Sequence, residues 1–167
     1  MGRARGFSLI ELIIVIIILA VVGVTAAPRF FNLSTDANRA LLEELAGASK
    51  SAANLVYAKA LIQGEAGKVL GTVDLDGDGV SDIETVYGYP TGDRIKGLPN
   101  ALSLEEDWRY GNTFGGTQLF FSPARIIGSS GPTNNNIPLL RPDCYLAYRP
   151  PTNPGDAPTY TFFDSGC

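Results

Sequence analysis

The chain reads as an α+β protein in which one long N-terminal α-helix packs on an antiparallel β-sheet head. Three observations predict this. A run of about twenty almost unbroken apolar residues lies between Phe7 and Ala27, too long for an ordinary buried strand. An amphipathic stretch of helical period follows it as far as Gly64. Beyond Gly64 come short β-branched and aromatic segments separated by turn residues, together with the two cysteines of the chain, Cys144 and Cys167.

The 167 residues leave room for one domain plus its helix. A net charge of -4 argues against broad attraction to nucleic acid. The chain contains no histidine, which removes Ser-His-Asp and Cys-His catalysis and any histidine-based zinc site. With 19 glycines and 11 prolines, much of the head must be turn and loop.

In chain order, a short leader with Arg3 and Arg5 precedes the apolar run. At ~1.5 Å per helical residue, Phe7 to Ala27 spans about 30 Å, the thickness of a bilayer's hydrocarbon core. Glu11 interrupts the run. A charge at that depth costs roughly 2.5–3.5 kcal/mol on insertion scales, so it requires a partner or a purpose. From the residues alone three readings stay open: a secretory signal peptide, a plain membrane anchor, and a helix built to assemble. Glu11 and the placement of Pro28 after Ala27 count against the first, and Glu11 has no role in the second. Gly23 and Pro28 mark a weak stretch, because glycine costs ~1 kcal/mol and proline ~3 kcal/mol in a helix interior.

Past Pro28, Leu33, Ala37, Leu41, Leu45, Ala48, Ala52, Leu55 and Val56 recur at three- and four-residue steps and predict the buried stripe of a helix that stops at Gly64. Strands are expected at Lys68–Val73, Val86–Tyr89, Leu119–Ser122, Tyr145–Arg149 and Tyr160–Phe163. Pro99 and the box Ser103-Leu104-Glu105-Glu106 suggest a helical turn or two before Trp108. Gly128 to Pro138 reads as a polar loop.

Asp74-Leu75-Asp76-Gly77-Asp78-Gly79-Val80-Ser81-Asp82 matches the first nine positions of an EF-hand-type calcium loop. Asp74, Asp76, Asp78 and Asp82 would offer carboxylates and Val80 a carbonyl, with Ca2+ as the ion. The twelfth position departs from the pattern, being Thr85 with Glu84 one place early. The competing reading is a solvated acidic turn. Two cysteines in an exported domain read as one disulfide, Cys144 to Cys167.

Gly6 followed by Phe7-Ser8-Leu9-Ile10-Glu11 resembles the processing site of type IV prepilins, and the short arginine-bearing leader fits the type IVa subgroup. Val24-Thr25-Ala26-Ala27-Pro28-Arg29-Phe30-Phe31-Asn32-Leu33 further resembles the mannose-sensitive haemagglutinin (MSHA) pilins. The likeness covers roughly the first sixty residues well and the rest in outline. It implies cleavage between Gly6 and Phe7 by a prepilin peptidase that also methylates the Phe7 amine. It implies an assembly role for Phe7 and Glu11, the carboxylate pairing with the amine of a neighbouring subunit; two opposite charges buried together cost far less than either alone. It implies loss of helix from about Val21 to Pro28 in the filament, a stretch that holds Gly23, against a simple kink at Pro28 in the free subunit, and a C-terminal loop closed by the cysteines.

The chain then divides into a cleaved leader (1–6), a transmembrane and filament-core helix (7–27), an amphipathic half-helix (28–64) and a β-rich head (65–167). The expected function is a structural subunit of a type IV pilus that polymerises into an extracellular filament for adhesion or related surface roles. The implied partners are other copies of the chain, the prepilin peptidase, an inner-membrane assembly platform, minor pilins, and the inner membrane itself before assembly. A type II secretion pseudopilin, and a monomeric membrane-anchored adhesin or binding module, are the alternatives.

Overall fold

The computed structural model describes residues 8–102, 104 and 106–167, the side chains of 26–33 excepted. The leader, Gly6 and Phe7 lie outside the described residues, as do Ser103 and Glu105 of the expected capping box. The chain divides into two compact units, Met1–Ala37 and Asn38–Cys167, and helix α1 (Leu9–Gln63, 55 residues) contributes to both.

In the first unit the large apolar side chains from Leu9 to Val24 are each between 46% and 77% exposed. A helix that is apolar on every face belongs in a core or a membrane, so this segment has its burial still to find. Among the described residues no helix is long and apolar enough to cross a membrane; the described side chains of the apolar run end at Thr25. α1 continues as one element across Gly23 and Pro28. The Thr25 hydroxyl donates back to the Val21 and Val22 carbonyls at 3.2 and 3.0 Å, a contact that favours bending. A methyl group added at Gly23 would meet nothing within 4 Å, so no packing among the described residues calls for that glycine.

In the second unit α1 buries Asn38, Leu42, Leu45, Ser49, Ala53, Val56 and Ala60. Leu45 and Val56 lie on the stripe expected from the sequence. The rest of the stripe sits one position round the helix: Ala48 and Leu55 are exposed, and Leu41 and Ala52 half-buried. The reason is polar burial. Asn38 is held in place because its Nδ2 donates to the Cys167 carbonyl at 2.8 Å and its Oδ1 accepts from Arg125 Nε at 2.7 Å. The helix ends as expected: Gly64 takes the left-handed conformation (φ 74), the Gly64 amide donates to the Leu61 carbonyl, and the Glu65 amide to that of Ala60.

The head carries two sheets. Strands β1 (Gly71–Val73), β2 (Ile83–Val86) and β3 (Tyr89–Pro90) form an antiparallel sheet in that order. Its Val73 and Ile83 close over Val56 and Ala60 of α1. The expected strand Val86–Tyr89 is in fact a hairpin turn: Val86 pairs with Tyr89, and Tyr87 and Gly88 both have positive φ (49 and 84). Such a two-residue turn twists with its strands, and the bulky Tyr87 masks it in the sequence.

The second sheet has the order β6 (Gly131–Thr133), β4 (Trp108–Asn112), β5 (Leu119–Pro123), β7 (Tyr145–Arg149), β8 (Thr159–Phe163). Its pairings are antiparallel except β4 with β6, which is parallel. One face packs Leu119, Phe121, Leu146 and Tyr148 on Leu42, Leu45 and Ala53 of α1. On the other, Phe120 and Ala147 pack with Leu139 of the short helix α3 (Ile137–Leu140). Covered on both faces, β5 is buried at all five positions. The segment expected to be a plain loop, Gly128–Pro138, contains β6 and the start of α3, preceded by helix α2 (Ala124–Ile127). Elements this short carry no periodicity to read. A 3₁₀ turn over Leu98–Ala101 places Pro99 in its first turn, as the sequence suggested.

Candidate functional site

Helix α1 starts at Leu9, which makes Ser8 its N-cap and Glu11 the third helical residue. The Ser8 amide donates to Glu11 Oε2 at 2.8 Å, and the Leu12 amide to the Ser8 carbonyl at 3.3 Å. Glu11 is therefore half of a capping box, curling back over a helix end whose dipole favours negative charge. The spacing Ser8-x-x-Glu11 carried this signal, and reading Glu11 only as an intramembrane acid passes over it. The geometry fixes the carboxylate at the N-terminal end of the helix. One of its oxygens is engaged by Ser8.

The acidic loop gathers three of its four aspartates. Asp74, Asp76 and Asp78 each bring a carboxylate oxygen to within 4.8 Å of the others. The loop is also folded by its own amides: Asp74 accepts from Gly77 and Gly79 at 2.6 and 2.8 Å, Asp76 from Asp78 at 3.1 Å, and Asp78 from Val80 at 2.7 Å. The Gly77 and Gly79 amides hold the Asp74 carboxyl below its ordinary pKa. Asp82 turns to the Leu75 amide at 2.8 Å and stands apart from the trio. At the twelfth position Thr85 is fully buried in β2, while Glu84 pairs with Lys96 at 3.2 Å. Strand geometry, which sends neighbours to opposite faces, leaves this loop without an EF-hand's final ligand.

The cysteines are bonded, Cys144 to Cys167, with an S–S distance of 2.01 Å and 23 residues of separation. The bridge encloses β7 and β8 and fastens the C-terminus to the head. Beyond the Asn38 contact, Arg39 pairs with Asp164 at 3.1 Å and Ser165 bonds Asp143. Gly166 is required here, because a Cβ would collide with the Pro142 carbonyl oxygen.

An exposed apolar helix that starts with a self-capped carboxylate, followed by a β-sheet head closed by a C-terminal disulfide, defines a helix-and-head subunit of the pilin class. The comparisons with known proteins agree. Residues 1–27 match the family described as the prokaryotic N-terminal methylation motif. Over 95 residues the chain is 35% identical to the type IV narrow pilus major component PilA5 of Thermus thermophilus, covering 57% of this chain and 67% of that protein. No solved structure matches. The chain belongs to the type IV pilins, a family of structural rather than enzymatic proteins, and is a structural subunit of an extracellular pilus. A pseudopilin or a monomeric adhesin is not favoured by these likenesses.

Proposed function

We propose that the chain is a major-type pilus subunit, cut between Gly6 and Phe7 and N-methylated at Phe7. It waits in the inner membrane on its apolar helix and polymerises when Glu11 meets the Phe7 amine of a neighbour. The observation that carries this reading is the pairing of an apolar helix surface, exposed on every side from Leu9 to Val24, with a carboxylate held at its start. Glu11 keeps one oxygen for that amine while the other caps its own helix. The peptidase, an assembly platform and minor subunits are its expected partners, adhesion its expected use, and the MSHA-like group its nearest subtype. Mass spectrometry of sheared filaments tests it. The expected N-terminus is N-methyl-Phe7; one at Ala27 or Pro28 would make the segment a signal peptide instead.

A second reading concerns Ca2+ at Asp74, Asp76 and Asp78. Two oxygens bound to one calcium at 2.3–2.6 Å lie no more than about 5 Å apart, and this trio meets that limit. The Val80 carbonyl and Asp82 would complete the set, Asp82 only by leaving the Leu75 amide. Such a site suits weak extracellular affinity, ~10⁻⁴–10⁻³ M. The full chain's melting temperature is then expected to rise with millimolar calcium, and Asp76→Ala to remove the rise. An unchanged melting temperature would leave the loop an acidic turn.

A further inference from the structure

Asn38 opens the second compact unit and is the first buried side chain of α1 among those described, 4% exposed. The residues before it, Ser34 to Ala37, are exposed or half-buried, and the next buried one is Leu42. A buried amide needs both of its ends answered. Arg125 Nε of α2, which can only donate, reaches Asn38 Oδ1 at 2.7 Å. The Cys167 carbonyl, which can only accept, takes a bond from Asn38 Nδ2 at 2.8 Å. An aspartate of the same shape would keep the first bond and lose the second.

The Cys167 carbonyl stands over α1 because the tail is bonded to the sheet. Cys144 is fully buried, its carbonyl accepts from the Ser122 hydroxyl of β5 at 2.8 Å, and it carries Cys167 on its sulfur. Two amides turn the tail: Gly166 donates to the Asp143 carbonyl at 3.0 Å and Cys167 to the Asp164 carbonyl at 3.2 Å. The ion pair of the tail with α1, Arg39 with Asp164 at 3.1 Å, is 45% and 50% exposed, and pairs in water contribute little. With the bridge open, these few bonds stand against the backbone freedom of residues 164–167. The contact with Asn38 therefore belongs to the bridged chain.

We propose that Asn38 is a positioning residue through which closure of the Cys144–Cys167 bridge is transmitted to α1, an oxidation-set latch on the first turn that the head holds. Closure passes two electrons and two protons from the thiols to a disulfide oxidant. One thiolate attacks the oxidant, releasing its first thiol, and the second thiolate resolves the mixed disulfide, releasing the other. The coupling is reciprocal: whatever closure does for the Asn38 contact, the contact does for closure. For a filament subunit, the reading on which this one consequence rests, a bridged chain enters assembly with the Asn38 turn ordered and a reduced chain with it loosened.

The test equilibrates the full-length chain in detergent with reduced and oxidised glutathione and counts alkylated thiols by mass spectrometry. Asn38→Ala and Asn38→Asp are each expected to lower the constant for bridge closure about fivefold, the effect of one hydrogen bond. A residue that only stabilised the head would weaken the bridged and reduced chains alike and leave this constant unmoved. Hydrogen exchange on the unsubstituted chain gives a second measurement that does not depend on how a variant folds. Reduction should widen the gap in exchange rate between Asn38–Leu41 and Leu42–Val56 about tenfold. A closure constant within about twofold of the parent's in both variants would overturn the latch. So would a gap that stays the same or narrows on reduction. Neither measurement needs a filament, so a chain that fails to polymerise sinks the pilus reading and not the latch.

Discussion

Helix α1 contains two apolar surfaces with opposite fates. From Leu9 to Val24 large side chains are exposed on every face, whereas from Leu42 to Ala60 a single stripe is almost fully buried by the head. The second surface is narrow because its partner lies on one side. The first is apolar all round because its partners must surround it. Within one helix, the width of the apolar face thus records whether burial is completed inside the subunit or by other molecules. The two surfaces should therefore fail in different assays, the stripe in folding and the run in assembly.

The largest expected effects fall on assembly. Gly6→Val should abolish filaments and leave unprocessed chain, detected by mass spectrometry of the membrane fraction. Glu11→Ala should strongly reduce filament yield, since it removes the one charge of the apolar run; thermal unfolding of the chain should stay within ~0.5 kcal/mol of the parent. If Glu11→Ala filaments form normally, the run is a generic anchor and the contrast between the surfaces loses its meaning. Leu42→Ala makes the converse test. Emptying a fully buried site should cost about 2–5 kcal/mol in denaturant unfolding, whereas Leu55→Ala, 55% exposed on the same helix, should cost little.

The disulfide sharpens the same division within the head. Closing a loop of 23 residues' separation stabilises by about 3 kcal/mol in the chain-entropy account. Cys144→Ser with Cys167→Ser should lower stability by that amount and release β8 to proteases first. Hydrogen exchange in α1 from Leu42 to Val56 should slow or quicken only with global unfolding. Early loss of that helical protection would mean the C-terminal contacts to Asn38 and Arg39 hold the helix itself.

How much of this was legible in the sequence depended on the range of the forces involved. The long helix, its Gly64 stop, the pilin signature and the cysteine pair are local or countable, and they were read correctly. The buried stripe was read one position off because Asn38 and Ser49 are interior, and the burial of Asn38 depends on Arg125 and the C-terminal carbonyl, distant in the chain. The Tyr87-Gly88 turn was hidden because tyrosine seldom adopts positive φ. Strands β4 and β6 were missed: Trp108–Asn112 holds an arginine, a glycine and an asparagine, and only its neighbours in the sheet make it a strand. At the candidate site, Glu11 was singled out by its cost in an apolar run, but its capping partner Ser8 was not. The aspartates were singled out by spacing, while the separation of Asp82 from the trio is a matter of tertiary geometry.

The head should also be sensitive to base. Burial raises the Tyr148 hydroxyl well above its ordinary pKa, and Tyr160 and Tyr89 shift in the same direction for the same cause. Raised folded values mean that the stabilisation is complete below the unfolded pKa of about 10 and is lost as pH rises through the folded values. Unfolding by denaturant should therefore become easier above about pH 10. Tyr148→Phe should flatten this loss, at a cost near ~1 kcal/mol at neutral pH for the bond to the Pro90 carbonyl at 2.7 Å. An alkaline profile identical to the parent's would assign the effect to other groups.

The smallest expected effect is acidic and local. Asp74 is held below its ordinary pKa chiefly by the Gly77 and Gly79 amides, with its carboxylate on the surface. A lowered folded value means that the loop's stabilisation is present above the unfolded pKa of about 3.9 and fades as pH falls through the folded value. Solvent screening keeps this from reaching the core, so global stability should barely change. The loop itself should respond. Amide exchange at Gly77 and Gly79 should quicken as Asp74 protonates, and Asp74→Asn should reproduce that at neutral pH by weakening its acceptor. The α1 stripe from Leu42 to Val56 should remain protected throughout. Unaltered exchange at Gly77 and Gly79 in Asp74→Asn would show that the loop is held by its remaining turns rather than by this carboxylate, and would also weaken Asp74 as the first ligand of a calcium site.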